Sequence, residues 1–326
     1  MRVVLLTEPI DEAGRAMLAA RGDVEIVDGH GLGADEMAHA LARAHAIAVR
    51  VMPLPAELLA AARRLEVVAK HGVGVDNIDV AHCTARGIPV ANTPGANAIA
   101  VAEHAMMLML ALAKDALRQD RAVRGGNWSG RLANTPFELH GRTLLVIGFG
   151  RSGQELARRA RAFGMCVLAA GRSLDAGILA ALEVEPVADW RAALPAADVV
   201  SINIPRPAGA GHMIGAAELA AMRRGALLVN CARGGIVDEA ALAAALRDGQ
   251  LAGAGLDVLG EEPPRADNPL LGLDNVMLSP HVAGNTGEAA RRMAAATAAN
   301  VLAAFDGRLD PACVVNRAGL AARSGS

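Results

Sequence analysis

Three polar blocks in the second half of this 326-residue chain hold side chains suited to acid–base and anion chemistry: NCARGGIVDEAAL (230–242), GLDVLGEEPP (255–264) and LSPHVAGNT (278–286). Each follows a short apolar run that reads as a strand. Open α/β sheets bind ligands outside the carboxyl ends of their strands, so Arg233, Asp257, Glu262 and His281 are expected to converge on one site. Arg233 carries a permanently charged fork that suits a carboxylate or a carbonyl oxygen, and the Gly234-Gly235 pair after it favours close approach to a ligand. Glu262 is the candidate partner of His281. A carboxylate beside an imidazole favours the protonated ring, which can then donate a proton near neutral pH. Taken singly each of these is an ordinary loop residue, and the combination with a glycine loop upstream gives them weight.

That loop is GFGRSG, with Gly148, Gly150 and Gly153 set between the apolar run TLLVIG and the helical segment QELARRARAF. In this context G-x-G-x-x-G reads as a dinucleotide cradle, with Arg151 and Ser152 in the variable positions and the helix N-terminus facing the phosphates. An NAD site places an acidic residue about 20 residues on, at the end of the second strand, to hold the ribose hydroxyls. Here Gly171 stands there, followed by Arg172 and Ser173. Without the carboxylate there is no repulsion toward a 2'-phosphate, and Arg172 and Ser173 can supply a charge and a hydroxyl, so NADP is expected over NAD. Asp175, four residues later, is the alternative contact to the ribose.

The elements that must position these groups follow an alternation of short Val/Ile/Leu runs with longer Ala/Leu/Arg segments, the βαβ pattern of parallel sheets. The expected class is α/β, with two open parallel-sheet domains of Rossmann-like or flavodoxin-like type. Strands are predicted at 2–7, 24–27, 46–50, 65–70 and 88–92, then at 143–148, 166–171, 198–205, 226–232, 253–258 and 276–281. A long helix is predicted from Ile99 to about Arg124, an irregular connection over GGNWSGRLANTPFELHG, and an Ala-rich helix from Gly287 to about Asp306. The nucleotide domain, 99–287, is therefore read as inserted into a discontinuous substrate domain, 1–98 plus 288–326. The last residues, AARSGS, are expected to be loose.

Composition narrows the function classes. Lys+Arg 32 against Asp+Glu 34 gives a formal charge of -2, without the basic footprint of a nucleic-acid or lipid-surface binder. The apolar stretch Ala98–Ala113 is interrupted by Glu103 and His104, so no membrane span is expected. The opening MRVVLLTEPIDEAG lacks signal-peptide features, and a cytoplasmic protein is expected. Cys83, Cys166, Cys231 and Cys313 are widely spaced with no ligand-spaced partner, so neither zinc nor disulfides are expected. With no Tyr, four Phe and two Trp, the core must be aliphatic. Only Lys70 and Lys114 stand against thirty arginines, so a lone arginine carries little information.

The segments KHGVGVDNIDV (70–80) and RGIPVANTPGANAIAVAEHAMMLML (86–110), the GFGRSG loop, the Asn-Cys-Ala-Arg-Gly-Gly block, the Leu-Asp-Val block with Glu262-Pro263, and Ser-Pro-His281 together resemble the D-isomer-specific 2-hydroxyacid dehydrogenase family. The resemblance runs from Arg2 to about Asn316. It implies reversible hydride transfer between NAD(P) and C2 of a small 2-oxo or 2-hydroxy acid, with the domains closing over the substrate. By the same resemblance Arg233 binds and orients the 2-oxo acid, His281 is the acid/base and Glu262 its partner. Asp257 orients the nicotinamide, the backbone at Val73 and Gly74 holds the substrate carboxylate, and Pro205, Cys231 and Ala232 belong to the cofactor site. Arg50, at a strand end, is either a contact to a substrate phosphate or carboxylate or a strand-end salt bridge. The helix 99–117 implies a homodimer.

Departures from the family pattern are informative. Gly171 stands where an acid is usual, as in the NADP-using members. The loop IPRPAGAGHMIG (204–215) has Gly211 where Thr is common, and Glu262 in place of Gln argues against formate dehydrogenase. The chain stops near residue 326, so an appended regulatory domain and feedback control are not expected. Three rivals remain: phosphoglycerate dehydrogenase-like activity, a cofactor-sensing corepressor-type interaction protein, and phosphite oxidation on the same scaffold.

Overall fold

Short runs of β-branched and aliphatic residues become strands here because helices cover both faces of each sheet they form. The computed structural model describes residues 1–129, 136–206 and 211–324. Its chain divides into two units, Met1–Asn97 with Asn285–Ser326, and Ala98–Gly284. The expected boundary at 288 falls inside the first turn of a helix that Thr286 caps through its side chain.

In the first unit, β1 (Arg2–Leu6), β2 (Val24–Asp28), β3 (Ala46–Val49), β4 (Val67–Lys70) and β5 (Val90–Ala91) form a parallel sheet in the order β2-β1-β3-β4-β5. This is the flavodoxin-like doubly wound order. Its connecting helices are α1 (Glu12–Ala19), α2 (Ala34–Arg43), α3 (Ala56–Ala61) and α4 (Val80–Ala85). Two later helices, α12 (Gly287–Phe305) and α13 (Arg317–Ser324), complete the unit. Alternation along the strands sorts the core into two layers. Val4, Leu6, Ala46, Ala48, Val67 and Ala69 pack with Leu18 of α1 and Ala298, Val301 and Phe305 of α12. Leu5, Ile47, Val49, Val68 and Val90 pack with Leu41, Leu59 and Cys83 on the other face.

His71 continues the first of these faces just beyond β4, is 6% exposed, and its Nε2 has no hydrogen-bond partner among the described residues. Burial, and then the positive charge of Arg50, push its imidazole down from 6.5 to about 4. The unfolded chain therefore binds a proton that the folded chain refuses across that window, and the native state loses on the order of 3 kcal/mol as pH falls through it. His71→Gln is expected to flatten this loss in urea unfolding curves measured between those two pH values; an unchanged acid slope would contradict the assignment.

The second unit begins with α5 (Ala98–Ala113) and α6 (Ala116–Arg124) and then builds a seven-stranded parallel sheet. Its strands and helices are β6 (Thr143–Ile147), α7 (Arg151–Ala162), β7 (Cys166–Ala170), α8 (Ala176–Leu182), β8 (Glu185–Pro186), α9 (Trp190–Ala193), β9 (Val199–Ile202), α10 (Ala216–Ala221), β10 (Ala226–Asn230), α11 (Glu239–Arg247), β11 (Leu251–Leu256) and β12 (Val276–Leu278). The order β12-β11-β10-β9-β6-β7-β8 places β6 beside β9, and the chain winds outward in both directions from that pair. Such a switch point opens a crevice at the carboxyl ends of the strands. Leu144, Val146, Val167, Leu227 and Val229 pack with α5 and α7 on one face; Leu145, Ile147, Val200, Leu228 and Leu256 pack with Leu219, Leu242 and Leu246 on the other. Among the described residues no helix is long and apolar enough to cross a membrane.

The two parallel-sheet folds match the expected class, but several local readings need correction. The predicted helix 99–124 breaks at Asp115, whose φ of 52° separates α5 from α6. Aspartate tolerates the left-handed region, and its carboxylate pairs with Arg118. Residues 321–324 of the tail are not loose but helical, in α13, which Asn316, 7% exposed, anchors; 325–326 lie outside the described residues. Its side chain accepts from Val90 N at 2.9 Å and donates to Thr84 Oγ1 at 3.0 Å and to Ile88 O at 2.9 Å. β9 ends at Ile202 rather than 205, where Pro205 offers no N–H for a ladder. Part of the connection after α6 (130–135) and part of the 204–215 loop (207–210) lie outside the described residues.

Candidate active site

The turn after β6 has the stereochemistry of a phosphate cradle. Gly148 takes φ +98°, and a Cβ there would lie 2.5 Å from Asn203 O. A Cβ on Gly153 would lie 2.2 Å from Gly148 O, so only glycine lets α7 approach the end of β6 this closely. Gly150 caps the helix, and a Cβ built there meets nothing within 4 Å, which leaves its surroundings open. The first turn of α7 holds exposed Arg151, half-buried Ser152 and no acidic residue. A helix start with no carboxylate of its own suits an anionic pyrophosphate. At the end of β7, Gly171, Arg172 and Ser173 are all exposed. Asp175 serves as the N-cap of α8, accepting from Ile178 N at 2.9 Å, so the alternative ribose contact already has a structural task. Pro205 is exposed after β9.

Arg233 sits on a loop folded by a residue outside the expected site set. Asn230, 2% exposed at the end of β10, accepts from Ala232 N at 3.0 Å and donates to Arg233 O at 2.9 Å. This Asx turn carries Cys231, Ala232 and Arg233 away from the sheet, and Arg233 Nη1 donates to Ala232 O at 2.7 Å. Burial, and then the Asp257 carboxylate, push the Cys231 thiol well above its ordinary range, so it stays protonated. Gly234 is the tightest position of the loop: a Cβ would lie 1.6 Å from Leu259 O. The loops after β10 and β11 are therefore in backbone contact. Glu239 of α11 ties the second loop down, accepting from Gly260 N at 2.5 Å and Asn268 Nδ2 at 2.7 Å.

Asp257, 1% exposed, organises the loop after β12. Its Oδ1 accepts from Ser279 Oγ at 2.6 Å and Val282 N at 2.9 Å, its Oδ2 from Ala283 N at 2.8 Å, and its carbonyl from His281 N at 2.8 Å. These bonds flank His281 and hold it at φ 53°, a left-handed conformation that costs a non-glycine residue on the order of 1–2 kcal/mol. The imidazole Nδ1 lies 2.7 Å from Glu262 Oε2, while Glu262 Oε1 accepts from Leu259 N at 3.0 Å. Both carboxylate oxygens of Glu262 are thereby fixed. A ring held this way presents Nε2, its other nitrogen, for proton transfer. Asp257, expected from the resemblance at the nicotinamide end, has its carboxylate occupied by this loop.

Arg50, Val73 and Gly74 belong to the first unit, after the neighbouring strands β3 and β4. The segment 50–52 is clamped by Glu8, which accepts from Arg50 N at 2.8 Å, Val51 N at 2.7 Å and Met52 N at 2.5 Å. Burial raises the Glu8 carboxyl, but these bonds and the Thr7 hydroxyl outweigh it and hold the group below its ordinary value. Lys70 donates to Arg50 O and, at 2.7 Å, to Asn77 Oδ1. The Arg50 guanidinium donates to Pro9 O at 3.3 Å. Val73 is 40% exposed, and Gly74 beside it is half-buried.

Comparison with known proteins agrees with this architecture. Residues 106–283 match the family described as D-isomer specific 2-hydroxyacid dehydrogenase, NAD binding domain. The D-3-phosphoglycerate dehydrogenase of Archaeoglobus fulgidus is 40% identical over 287 residues, 88% of this chain but 54% of that protein, so this chain spans about half the length of that relative. The glyoxylate reductase of Thermococcus onnurineus is 37% identical over 324 residues, 96% of each chain. Among solved structures, the NADPH-dependent glyoxylate/hydroxypyruvate reductase of Sinorhizobium meliloti, in complex with NADP and malonate, matches with a TM-score of 0.79 at 32% identity over 93% of each chain. Identity of this order across 88% of the sequence, with a family match through the unit that carries the glycine cradle and His281, leads to one conclusion: the chain belongs to the D-isomer-specific 2-hydroxyacid dehydrogenase family.

Proposed function

We propose that this chain reduces small 2-oxo acids such as glyoxylate or hydroxypyruvate to their D-2-hydroxy acids, with NADPH preferred over NADH. The observation that carries the reading is the Glu262–His281 pair, 2.7 Å apart, on a loop gripped by Asp257 in the same unit as the glycine cradle. Gly148, Gly150, Gly153 and the first turn of α7, with Arg151 and Ser152, would hold the cofactor pyrophosphate, and Pro205, Cys231 and Ala232 would line its path. When bound, the nicotinamide supplies or accepts the hydride at C2. His281 Nε2 holds the proton given to the C2 oxygen and takes it back in the reverse direction, and Glu262 steadies the charged ring. Arg233 supplies a fixed positive charge for the carboxylate or carbonyl of the 2-oxo acid. Val73, Gly74 and Arg50 of the first unit are proposed as further substrate contacts, supported by the exposure of Val73 and the rigid clamp on 50–52.

The cofactor preference rests on Gly171, Arg172 and Ser173, with Asp175 engaged as a helix cap. Arg172→Ala is expected to raise KM for NADPH about tenfold while leaving NADH nearly unchanged, since one charge-assisted bond to a phosphate contributes about 1.5–3 kcal/mol. Equal use of both cofactors by the parent, unaffected by the substitution, would sink the preference. The substrate is tested by a panel: if 3-phosphoglycerate oxidation with NAD exceeds every small 2-oxo acid in kcat/KM, the assignment moves to phosphoglycerate dehydrogenase. The proposal includes a cytoplasmic homodimer. Its four cysteines, widely spaced along the chain, suit a reducing compartment, and Ile99 and Met107 of α5, each 41% exposed, supply apolar surface for a two-fold contact.

A further inference from the structure

The register of α5 on β11 brings one polar side chain of a mostly apolar helix, His104, to the loop that holds His281. A Cβ on Gly253 would lie 3.1 Å from Leu112 Cδ2, and one on Gly255 would lie 2.8 Å from Leu108 Cβ. Four helical residues rise about 6 Å and two strand residues about 6.6 Å, so the helix and the antiparallel strand stay in step. The next pair in that series is His104 over Asp257. Their side chains meet there, with His104 Nε2 3.6 Å from Asp257 Oδ1 and 2.8 Å from Ser279 Oγ. A carboxylate only accepts, so the single Ser279 hydroxyl proton goes to Asp257 at 2.6 Å. Ser279 Oγ must then accept from His104, which places a proton on Nε2 of that ring.

We infer that His104 is a positioning residue for His281, acting through Ser279 and Asp257; the inference rests on the function proposed above. The His104 donor orients the Ser279 hydroxyl, and Ser279 shares Asp257 Oδ1 with Val282 N. Without the donor, the Ser279 hydroxyl can rotate away, and the turn that keeps His281 left-handed loses its hold on Asp257. Misplacing the imidazole by about 1 Å is enough to slow a reaction about a hundredfold.

The test uses His104→Leu, which removes the donor, and His104→Gln, which keeps an N–H, each alone and combined with His281→Ala. His104→Leu is expected to lower kcat for hydroxypyruvate about tenfold to a hundredfold. His104→Gln should recover most of that loss. Because His104 acts through His281, adding His104→Leu to His281→Ala should cost almost nothing further. A merely structural role would add its full loss in both backgrounds and would overturn the inference, as would an unchanged kcat in His104→Leu. Amide hydrogen exchange at 281–283 is measured in parallel. Faster exchange in His104→Leu with an inactive parent would refute the proposed activity and leave the His104 coupling standing. An active parent with unchanged exchange and unchanged kcat would refute the coupling alone.

Discussion

Replacing His281 with alanine is expected to lower kcat for 2-oxo acid reduction on the order of a thousandfold, within the range that a positioned acid–base group supplies. The loss should be in chemistry: the cradle at Gly148–Gly153 is made by other residues, so cofactor affinity should hold. Reduction takes a proton from the ring and oxidation returns one to it, so both directions should lose rate in the variant. Glu262→Gln keeps a hydrogen-bond acceptor near Nδ1 but deletes the negative charge that sits 2.7 Å from it, so kcat should fall while cofactor affinity holds. Arg233→Ala should instead raise KM for the 2-oxo acid and leave cofactor binding largely intact. Steady-state kinetics in both directions check all three. A Glu262→Gln variant with parental kcat while chemistry is rate-limiting would show that the pair does not work as described.

Gly234→Ala is expected to be the most damaging single methyl group in the site. The new Cβ would sit 1.6 Å from Leu259 O and 2.3 Å from its carbonyl carbon, and both obstacles are backbone. One of the two loops must retreat by more than 1 Å or so, and either retreat shifts the loop that carries Arg233 against the loop that carries Glu262. Leu259 N is itself a donor to Glu262, so the displacement passes directly to that carboxylate. We expect kcat to fall about a hundredfold and thermal stability to fall with it, because the strained contact lies between loops that Asn230 and Glu239 hold in place. Near-parental kcat in a folded Gly234→Ala would contradict the backbone contact.

Both sheets were legible because continuous apolar runs are what strands covered on two faces require, and their spacing left room for crossover helices. The glycine loop was legible too, since Gly148 and Gly153 are demanded by close backbone approaches within one βα turn. What the sequence concealed is tertiary. Asn230 reads as the last polar residue of a strand, and nothing local says that its amide folds the Arg233 loop. The hold of Asp257 on the loop after β12 is hidden too, because its partners, Ser279, Val282 and Ala283, lie more than twenty residues away. Asp115 breaks a helix whose apolar period continues past it. Asn316 anchors the tail through strand and helix ends more than two hundred residues earlier.

The measurement closest to the central claim is hydroxypyruvate-dependent oxidation of NADPH by the purified protein, with the chirality of the product determined and His281→Ala run beside it. The account predicts steady turnover in the parent, D-glycerate as the product, and loss of nearly all turnover in the variant. Cofactor that binds without turnover on any 2-oxo acid, or turnover that survives His281→Ala, would contradict it.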